Sequence, residues 1–243
     1  MNYKTFDIFK DKKHEEDPRI PKDLFPDTFC GLIVGPSASG KSTLIKNLLL
    51  EKQGFYKKFD LVLFLAPYNI SDLDLKEDRL HNTLDIDWIY PRIDYFKQQK
   101  KVQKVLIIDD LISGIKSGNN PQLIDFFFNR RKIVPGVEIN ILLTTQQYKV
   151  FPNKFRSCLQ FIIIFQIPFK QFDQIKEEYF YSNRNDLTAV IHSHFKKYKH
   201  NFIYIRLNPS HQIFLNLKKQ YEFFIRSFTF FTIFCWAISF FYC

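Results

Sequence analysis

A short glycine-containing stretch between two apolar segments constrains this chain more than any other feature. It reads Gly35-Pro36-Ser37-Ala38-Ser39-Gly40-Lys41-Ser42 and fits the pattern GxxxxGK[ST]. The letters FCGLIV before it predict a strand, and the letters TLIKNLLL after it predict an amphipathic helix. Backbone N–H groups in such a loop form a nest for an anion, and the helix N-terminus adds partial positive charge. The sequence therefore predicts a phosphate-binding loop in an α/β domain.

The residue types in this loop predict which nucleotide groups they contact. Lys41 can reach the β- and γ-phosphates of ATP, and the Ser42 hydroxyl can ligate Mg²⁺. A chance match is the alternative, and the strand–helix context disfavours it. The expected nucleotide-binding residues are Gly35, Pro36, Ser37, Ala38, Ser39, Gly40, Lys41, Ser42 and Thr43.

The second motif is acidic: Asp109 and Asp110 directly follow the four apolar residues Val105–Ile108. In phosphoryl-transfer sites of this form the first carboxylate holds Mg²⁺, so we expect Asp109 to be a metal ligand. Asp110 would polarise the attacking water as a general base. A buried strand that ends in two solvated acids would look the same, but the upstream loop favours the catalytic interpretation.

The next apolar run, Ile139–Thr144, ends in Thr145 and Gln146. In one large class of P-loop ATPases this strand lies between the loop strand and the acidic strand, and its polar end faces the γ-phosphate. Gln146 is then the expected sensor and water-positioning residue, with Thr145 as the weaker candidate and a simple strand cap as the alternative. A GTPase is disfavoured because 153–156 lacks the aspartate of a guanine-reading NKxD, and an ABC ATPase because no LSGGQ-like run occurs.

The apolar runs alternate with longer polar segments, which is typical of a parallel sheet covered by helices on both faces. The chain divides into an N-terminal arm (1–27), an ATPase domain (28–217) and a hydrophobic tail (218–243). Phenylalanine is frequent throughout the chain, at 29 of 243 residues, so a single aromatic residue is weak evidence for a functional site. The predicted strands are Phe29–Val34, Leu61–Ala66, Val105–Ile108, Ile139–Thr144 and Leu159–Ile167, with an edge hairpin of Phe202–Arg206 and Gln212–Leu217; the predicted helices are Ser42–Gln53, Pro121–Arg131 and Phe169–Tyr179.

The charge balance favours a polyanionic partner, since 35 Lys and Arg face 25 Asp and Glu for a net charge of +10. The segment Leu187–Tyr221 contains no acidic residue, so it predicts either a DNA contact or a solvated basic face. His192, His194 and His200 lie in it, but a zinc site is disfavoured because no cysteine or acid accompanies them. The four cysteines are widely spaced, which favours a reducing, intracellular compartment.

The last residues, Ser227–Cys243, carry no charge. A membrane span needs about 20 such residues, so a membrane anchor is the less favoured interpretation. A helix packed on the domain and an extension beyond the functional end are the alternatives.

In the order of its phosphate loop, its acidic motif and its strand ending in Gln146, the chain resembles the FtsK/HerA-like genome-packaging ATPases. These ATPases occur in poxviruses, other large DNA viruses, virophages and Maverick/Polinton elements. The resemblance covers residues 25–185, and its specific part combines VLIIDDLI, an arginine pair, and a strand ending in TTQ before a Phe-Pro…Arg segment. It implies a RecA-like (ASCE) core of strand order 5-1-4-3-2. It also implies a homo-oligomeric ring that hydrolyses ATP with Mg²⁺ and drives double-stranded DNA into a capsid. Capsid or portal proteins would be partners, in the virion or at the viral assembly site.

The resemblance also implies an arginine that completes a neighbouring subunit's site. Arg130 or Arg131 matches its position, and Arg156 is a rival; alternatively both members of the pair cap the helix Pro121–Phe128. The chain departs from the family pattern in having Arg-Arg-Lys in place of an Arg-His pair, and Asp110 in place of glutamate. A helicase or DNA-transfer motor, a small-molecule kinase, and a degenerate nucleotide- or DNA-binding protein that no longer cycles are the remaining hypotheses.

Overall fold

The computed structural model describes residues 20–21, 23–50, 55, 58–66, 77–82, 85–100, 104–109, 121–179, 184–207 and 212–222. The strands in these ranges are β1 (Cys30–Val34), β2 (Leu61–Leu65), β3 (Leu80–His81), β4 (Lys104–Asp109), β5 (Glu138–Thr145), β6 (Phe161–Phe165), β7 (Phe202–Arg206), β8 (Gln212–Leu215) and β9 (Lys218–Glu222). The helices are α1 (Lys41–Leu50), α2 (Ile86–Lys100), α3 (Pro121–Asn129), α4 (Asn153–Arg156), α5 (Phe169–Tyr179) and α6 (Arg184–Lys197), with single 3₁₀ turns at Glu77–Arg79 and Tyr148–Val150.

The described strands form one mainly parallel sheet in the order β3-β2-β4-β5-β1-β6-β7-β8-β9. The pairs among β1 to β6 are parallel, and the pairs β6–β7, β7–β8 and β8–β9 are antiparallel. The five strands predicted for the core therefore lie in the predicted order 5-1-4-3-2. The sheet is longer than that core, because β3 extends one edge and three antiparallel strands extend the other.

The predicted hairpin of Phe202–Arg206 and Gln212–Leu217 forms as β7 and β8, but it does not lie at the edge of the sheet. Strand β9 (Lys218–Glu222) pairs with β8 and takes that place. The sheet thus continues past residue 217, where the sequence analysis ended the ATPase domain. The tail Ser227–Cys243 lies outside the described residues, and no helix within them is long and apolar enough to cross a membrane.

The core strands are buried on both faces, which explains why they lack polar alternation. In β1, Leu32 and Val34 belong to the apolar layer that includes residues of α2, α3, α5 and α6. Ile33 belongs to the opposite layer, which contains α1 residues such as Leu44. Helices therefore cover both faces, as predicted.

Helix α2 was absent from the sequence prediction, in part because Pro91 lies inside it. Proline removes one helical hydrogen bond and disfavours a helix interior. Here burial outweighs that cost, because Ile86, Ile89, Ile93 and Phe96 recur at helical spacing and pack into the core. Helix α6, also not predicted, is anchored through buried Ile191.

The described end of the N-terminal arm packs against the sheet. Leu24 and Phe25 are buried on the α1 face. The Tyr204 hydroxyl donates to the Leu24 carbonyl at 2.6 Å, and Arg206 pairs with Asp23 at 3.2 Å. The arm is therefore joined to β7 as well as to the core.

Candidate functional site at the carboxyl edge of the sheet

The GxxxxGK[ST] stretch forms a closed loop between β1 and α1. The Gly35 N–H donates to the Thr145 carbonyl at 3.0 Å, and the Ser39 N–H donates to the Pro36 carbonyl at 3.2 Å. Ala38 and Gly40 have positive φ angles of 58° and 108°. Since L side chains rarely adopt the second of these conformations, glycine is required at position 40.

Gly35 is required for a different reason, namely close packing. A Cβ atom at this position would lie 2.6 Å from the Ser39 Oγ and 2.9 Å from the Phe165 Cβ. Ser39 is buried against it, although Pro36, Ser37 and Ala38 at the tip of the loop are exposed. The loop is thus packed tightly on its inner side and open at its tip.

Lys41 lies along the loop, where its ammonium donates to the carbonyls of Gly35 at 2.7 Å and Pro36 at 3.0 Å. Ser42 is exposed in the first turn of α1, followed by Thr43. The first N–H groups of a helix have no acceptor inside that helix. In α1 the bonding begins with the Leu44 N–H and the Gly40 carbonyl, at 2.9 Å. A phosphate at this turn would meet backbone donors, a cation and a hydroxyl, so the expected nucleotide-binding residues do lie together.

Asp109 ends β4, where its backbone is in register with Leu65 of β2 and Leu143 of β5. Because β4, β5 and β1 run parallel, Asp109 lies at the same edge of the sheet as the loop. Two strand spacings, about 10 Å, separate β4 from β1. Asp110 and the side chain of Asp109 fall outside the described residues, so their metal-binding and general-base roles stay predictions.

Strand β5 separates these two elements and ends beside the loop, with Thr145 in register with Val34. The Thr145 hydroxyl donates to the Gln147 carbonyl at 3.0 Å and accepts from the Gln147 N–H at 3.2 Å. That hydroxyl is used to close the turn after the strand. Gln146 is exposed at the same turn. The geometry favours Gln146 over Thr145 as the residue that faces a nucleotide.

The two arginines after α3 lie at the opposite, amino edge of the sheet. Arg130 is only 4% exposed; it donates to the Phe127 carbonyl at 3.0 Å and to the Gln160 Oε1 at 2.9 Å. Burial lowers its pKa. The bond to Phe127 is the helix-capping contact weighed in the sequence analysis. Arg131 is exposed, with a 3.4 Å contact to the Thr28 carbonyl. Of the pair, Arg131 is the one that another subunit could reach.

Arg156 is held inside the subunit. It forms an ion pair with Glu178, its Nε donates to the Phe151 carbonyl at 3.0 Å, and its guanidinium lies 4.2 Å from the ring centre of Tyr148. Tyr148 also donates to Glu178, and burial raises its pKa, so it stays a neutral donor. These contacts fix the turn after β5 and disfavour Arg156 as an arginine acting in trans.

The basic end of α6 lies near the loop, which the sequence did not reveal. Lys196, Lys197 and Lys199 are exposed, and the His200 Nδ1 lies 3.0 Å from the Ser39 carbonyl oxygen. The other two of these histidines have different surroundings: His192 contacts the Phe169 ring at a tilt, and His194 contacts the Phe202 carbonyl. The contact between His200 and Ser39 joins residues far apart in the chain, so no local signal could have identified it.

No protein-family model matches the chain. Among curated proteins it is similar to the subtilisin-like protease PIMMS2 of Plasmodium berghei (strain Anka), with 24% identity over 146 residues. That match covers 60% of this chain and 16% of the protease. The chain therefore spans about a sixth of the length of this curated relative, and the match assigns no family.

The matches to solved structures cover a larger share of both chains. The chain is similar to the genome packaging NTPase B204 of Sulfolobus turreted icosahedral virus 2 in complex with ATP-gammaS, with 14% identity, 79% of this chain and 97% of that chain covered, and a TM-score of 0.58. For the sulfate complex of the same protein the values are 15%, 82%, 100% and 0.56. For the DNA-packaging ATPase B204 of Sulfolobus turreted icosahedral virus they are 16%, 81%, 99% and 0.53.

The chain has the fold of a P-loop NTPase. At the level of fold, this confirms the resemblance to packaging ATPases drawn from the sequence, since these neighbours are packaging enzymes. Two of these neighbour structures are complexes, one with ATP-gammaS and one with sulfate.

Proposed function

We propose that the protein is a Mg²⁺-dependent ATPase that translocates double-stranded DNA, as the packaging motor of a virus or virus-like element. The observation that carries the proposal is the meeting of three strand ends at one edge of the sheet. Strand β1 leads into the phosphate loop, β5 beside it ends at Thr145 just before Gln146, and β4 ends at Asp109. This arrangement brings the phosphate loop, the expected metal-ligand position and the expected water-orienting position to one edge of the sheet, which supports the proposal.

In this function each site residue has a separate task. Lys41 and the backbone of the loop bind the phosphates, and Ser42 and Asp109 hold Mg²⁺ as part of the Mg-ATP substrate. Asp110 accepts the proton of the attacking water, and Gln146 orients that water against the γ-phosphate. Catalysis then consists mainly of positioning and neutralisation of charge.

The partner we propose is duplex DNA, with capsid or portal proteins at the viral assembly site. The net charge of +10 favours a polyanion. Lys196, Lys197 and Lys199 are exposed on the segment that contacts the loop through His200. Phosphates bound there would lie near the nucleotide, which is what a motor needs to couple the two ligands.

The ring we propose is head-to-tail. Arg131 lies at the amino edge of the sheet and the phosphate loop at the carboxyl edge, so the two cannot meet within one subunit. A heterologous contact, repeated around a closed ring, joins unlike surfaces of neighbouring subunits. It would bring Arg131 of one copy to the nucleotide of the next.

The test is ATP hydrolysis by the full chain with and without long duplex DNA, with Lys41→Ala as the blank. We expect DNA to stimulate turnover, the rate to rise more than linearly with protein concentration, and the stimulation to fall as salt rises. Turnover indifferent to DNA would contradict the proposal and favour a small-molecule kinase. Bound nucleotide without turnover would favour a protein that no longer cycles.

The same assay tests the second acid. Asp110→Asn should retain ATP while reducing hydrolysis by about 100-fold or more, since it keeps the shape and loses the base. Asp125→Asn, on the exposed side of α3, is the matched control. Full turnover in the Asp110 variant would remove the general-base assignment.

A further inference from the structure

His200 reaches the phosphate loop because of how the sheet is extended. Strand β7 is antiparallel to β6, with Phe202 in register with Phe165. The start of β7 therefore lies at the carboxyl end of β6, next to β1 and the loop. Gly35 packs against Phe165 at that point. The residue two positions before Phe202 is thereby brought to Ser39.

The segment that carries His200 is fixed at both ends by a polar network. Asn201 donates to the His194 carbonyl at 2.7 Å and accepts from the Asn216 Nδ2 at 2.9 Å. The Asn216 Oδ1 accepts from the Phe202 N–H at 2.9 Å. These bonds tie the end of α6, the start of β7 and the β8–β9 turn together. His200 therefore meets the loop from a rigid support.

The contact itself has a defined direction. A carbonyl oxygen can only accept, so the His200 Nδ1 carries the hydrogen and donates to the Ser39 oxygen. The acceptor belongs to the peptide between Ser39 and Gly40, and Ser39 itself lies between the positive-φ residues Ala38 and Gly40. In a planar trans peptide the C=O and the following N–H point in opposite directions. Holding the Ser39 carbonyl toward His200 therefore aims the Gly40 N–H away from it.

We propose that His200 is a positioning residue for the phosphate loop, which orients the Gly40 N–H as a donor to the phosphates of the nucleotide. The role needs a hydrogen-bond donor at the Nδ1 position and not a positive charge. It rests on the proposed function in one respect, that the loop binds a nucleoside triphosphate. It also ties the loop to the basic segment of Lys196, Lys197 and Lys199.

The experiment measures the affinity of the full chain for a non-hydrolysable ATP analogue with Mg²⁺. His200→Ala should weaken binding about 3- to 10-fold, the effect of losing one neutral hydrogen bond. His200→Asn should stay within about twofold of the unmodified protein, because the asparagine amide places a neutral donor near the Nδ1 position. His192→Ala, which removes a ring from the same segment that contacts Phe169 and not the loop, should bind as the unmodified protein does.

The thermal midpoint without nucleotide is measured for every variant, so that a general loss of stability is recognised. Should His200→Ala not fold, His200→Gln serves in its place. The glutamine amide lies one bond farther from the backbone than the Nδ1 position, so this variant should also lose the hydrogen bond and the affinity that depends on it. Unchanged affinity in a folded His200→Ala or His200→Gln overturns the inference, and so does an equal loss in His200→Asn. Failure of the unmodified protein to bind the analogue would overturn the proposed function together with it.

Discussion

At the scale of single residues, burial and hydrogen bonding assign different roles to neighbours of similar chemistry. Thr145 ends β5 and Gln146 follows it, but the Thr145 hydroxyl is bonded to the backbone of Gln147 while Gln146 is exposed. Arg130 and Arg131 both follow α3, but only the first has its guanidinium buried against protein acceptors. A side chain bonded inside the fold is not available to a substrate or a second subunit.

Gln146 provides the prediction at this scale. Gln146→Ala should lower ATP turnover about 100-fold, because the water would no longer be oriented, while affinity for a non-hydrolysable analogue changes little. Steady-state hydrolysis and analogue binding measure the two quantities. Gln147→Ala removes an adjacent exposed glutamine and should leave both unchanged. Equal losses in the two variants would contradict the sensor role.

At the scale of elements, the antiparallel strands β7–β9 extend the sheet beyond its five-strand core on the side next to β6. This extension carries His200 to the loop and fixes its own position through His194, Asn201 and Asn216. The His194 Nε2 lies 3.1 Å from the Phe202 carbonyl and 3.3 Å from the Asn216 Oδ1. Helix α6 and the strands are therefore joined by polar bonds as well as by apolar packing.

This network predicts a dependence of stability on pH. Burial lowers the pKa of His194 from its usual 6.5, and the charge of Lys197 acts in the same direction, against the hydrogen bonds to Phe202 and Asn216. Below about pH 6.5 the unfolded chain binds more protons at this site, so the free energy of unfolding falls as pH drops toward the folded pKa. The stabilisation is fully present above about pH 6.5.

Thermal unfolding measured between about pH 7.5 and pH 5.5 checks this expectation. The midpoint should fall more steeply with acid in the unmodified protein than in His194→Gln, whose amide does not titrate. His192→Gln is the control, and should retain the steep fall. Parallel curves for the unmodified protein and His194→Gln would exclude His194 as the titrating group.

At the scale of the whole molecule, Arg131 lies at the opposite edge of the sheet from the phosphate loop, so in the proposed ring it would serve a neighbouring subunit. A ring predicts complementation between two defective proteins. Lys41→Ala should be inactive, and Arg131→Ala should lose about 1,000-fold in turnover. When the two variants are dissociated and mixed in equal amounts, roughly a quarter of the sites should be active. Each site needs Lys41 from one subunit and Arg131 from its neighbour; half of the subunits keep Lys41, and half of their neighbours keep Arg131.

Hydrolysis by the mixture, compared with the mean of its components, measures this recovery. A mixture of Lys41→Ala with the double variant Lys41→Ala, Arg131→Ala should recover nothing, because no subunit then keeps Lys41. Activity at the mean of the two single variants would contradict the assignment of Arg131 as the residue acting in trans.

The order of the core strands was implied by the family resemblance, whereas the sequence by itself determined the phosphate loop and the α/β class. These follow from local patterns: a glycine-containing turn between a strand and a helix, and apolar runs that must be buried on both faces. The helix around Pro91 was missed because four buried apolar side chains outweigh a local signal against it. The position of Gln146 beside the loop was predictable because it depends only on the order of three strands, and its role as a sensor stays a prediction.

The tertiary structure alone decided which side chains are committed to the fold and which residues meet across it. Arg130 and Arg131 differ by burial, which depends on where Gln160 and Thr28 lie rather than on the arginine pair itself. His200 meets Ser39 because β7 returns antiparallel to β6 and its turn is fixed by Asn201 and Asn216. Such contacts join residues distant in the chain, and their energies depend on burial and orientation, which a linear pattern does not encode.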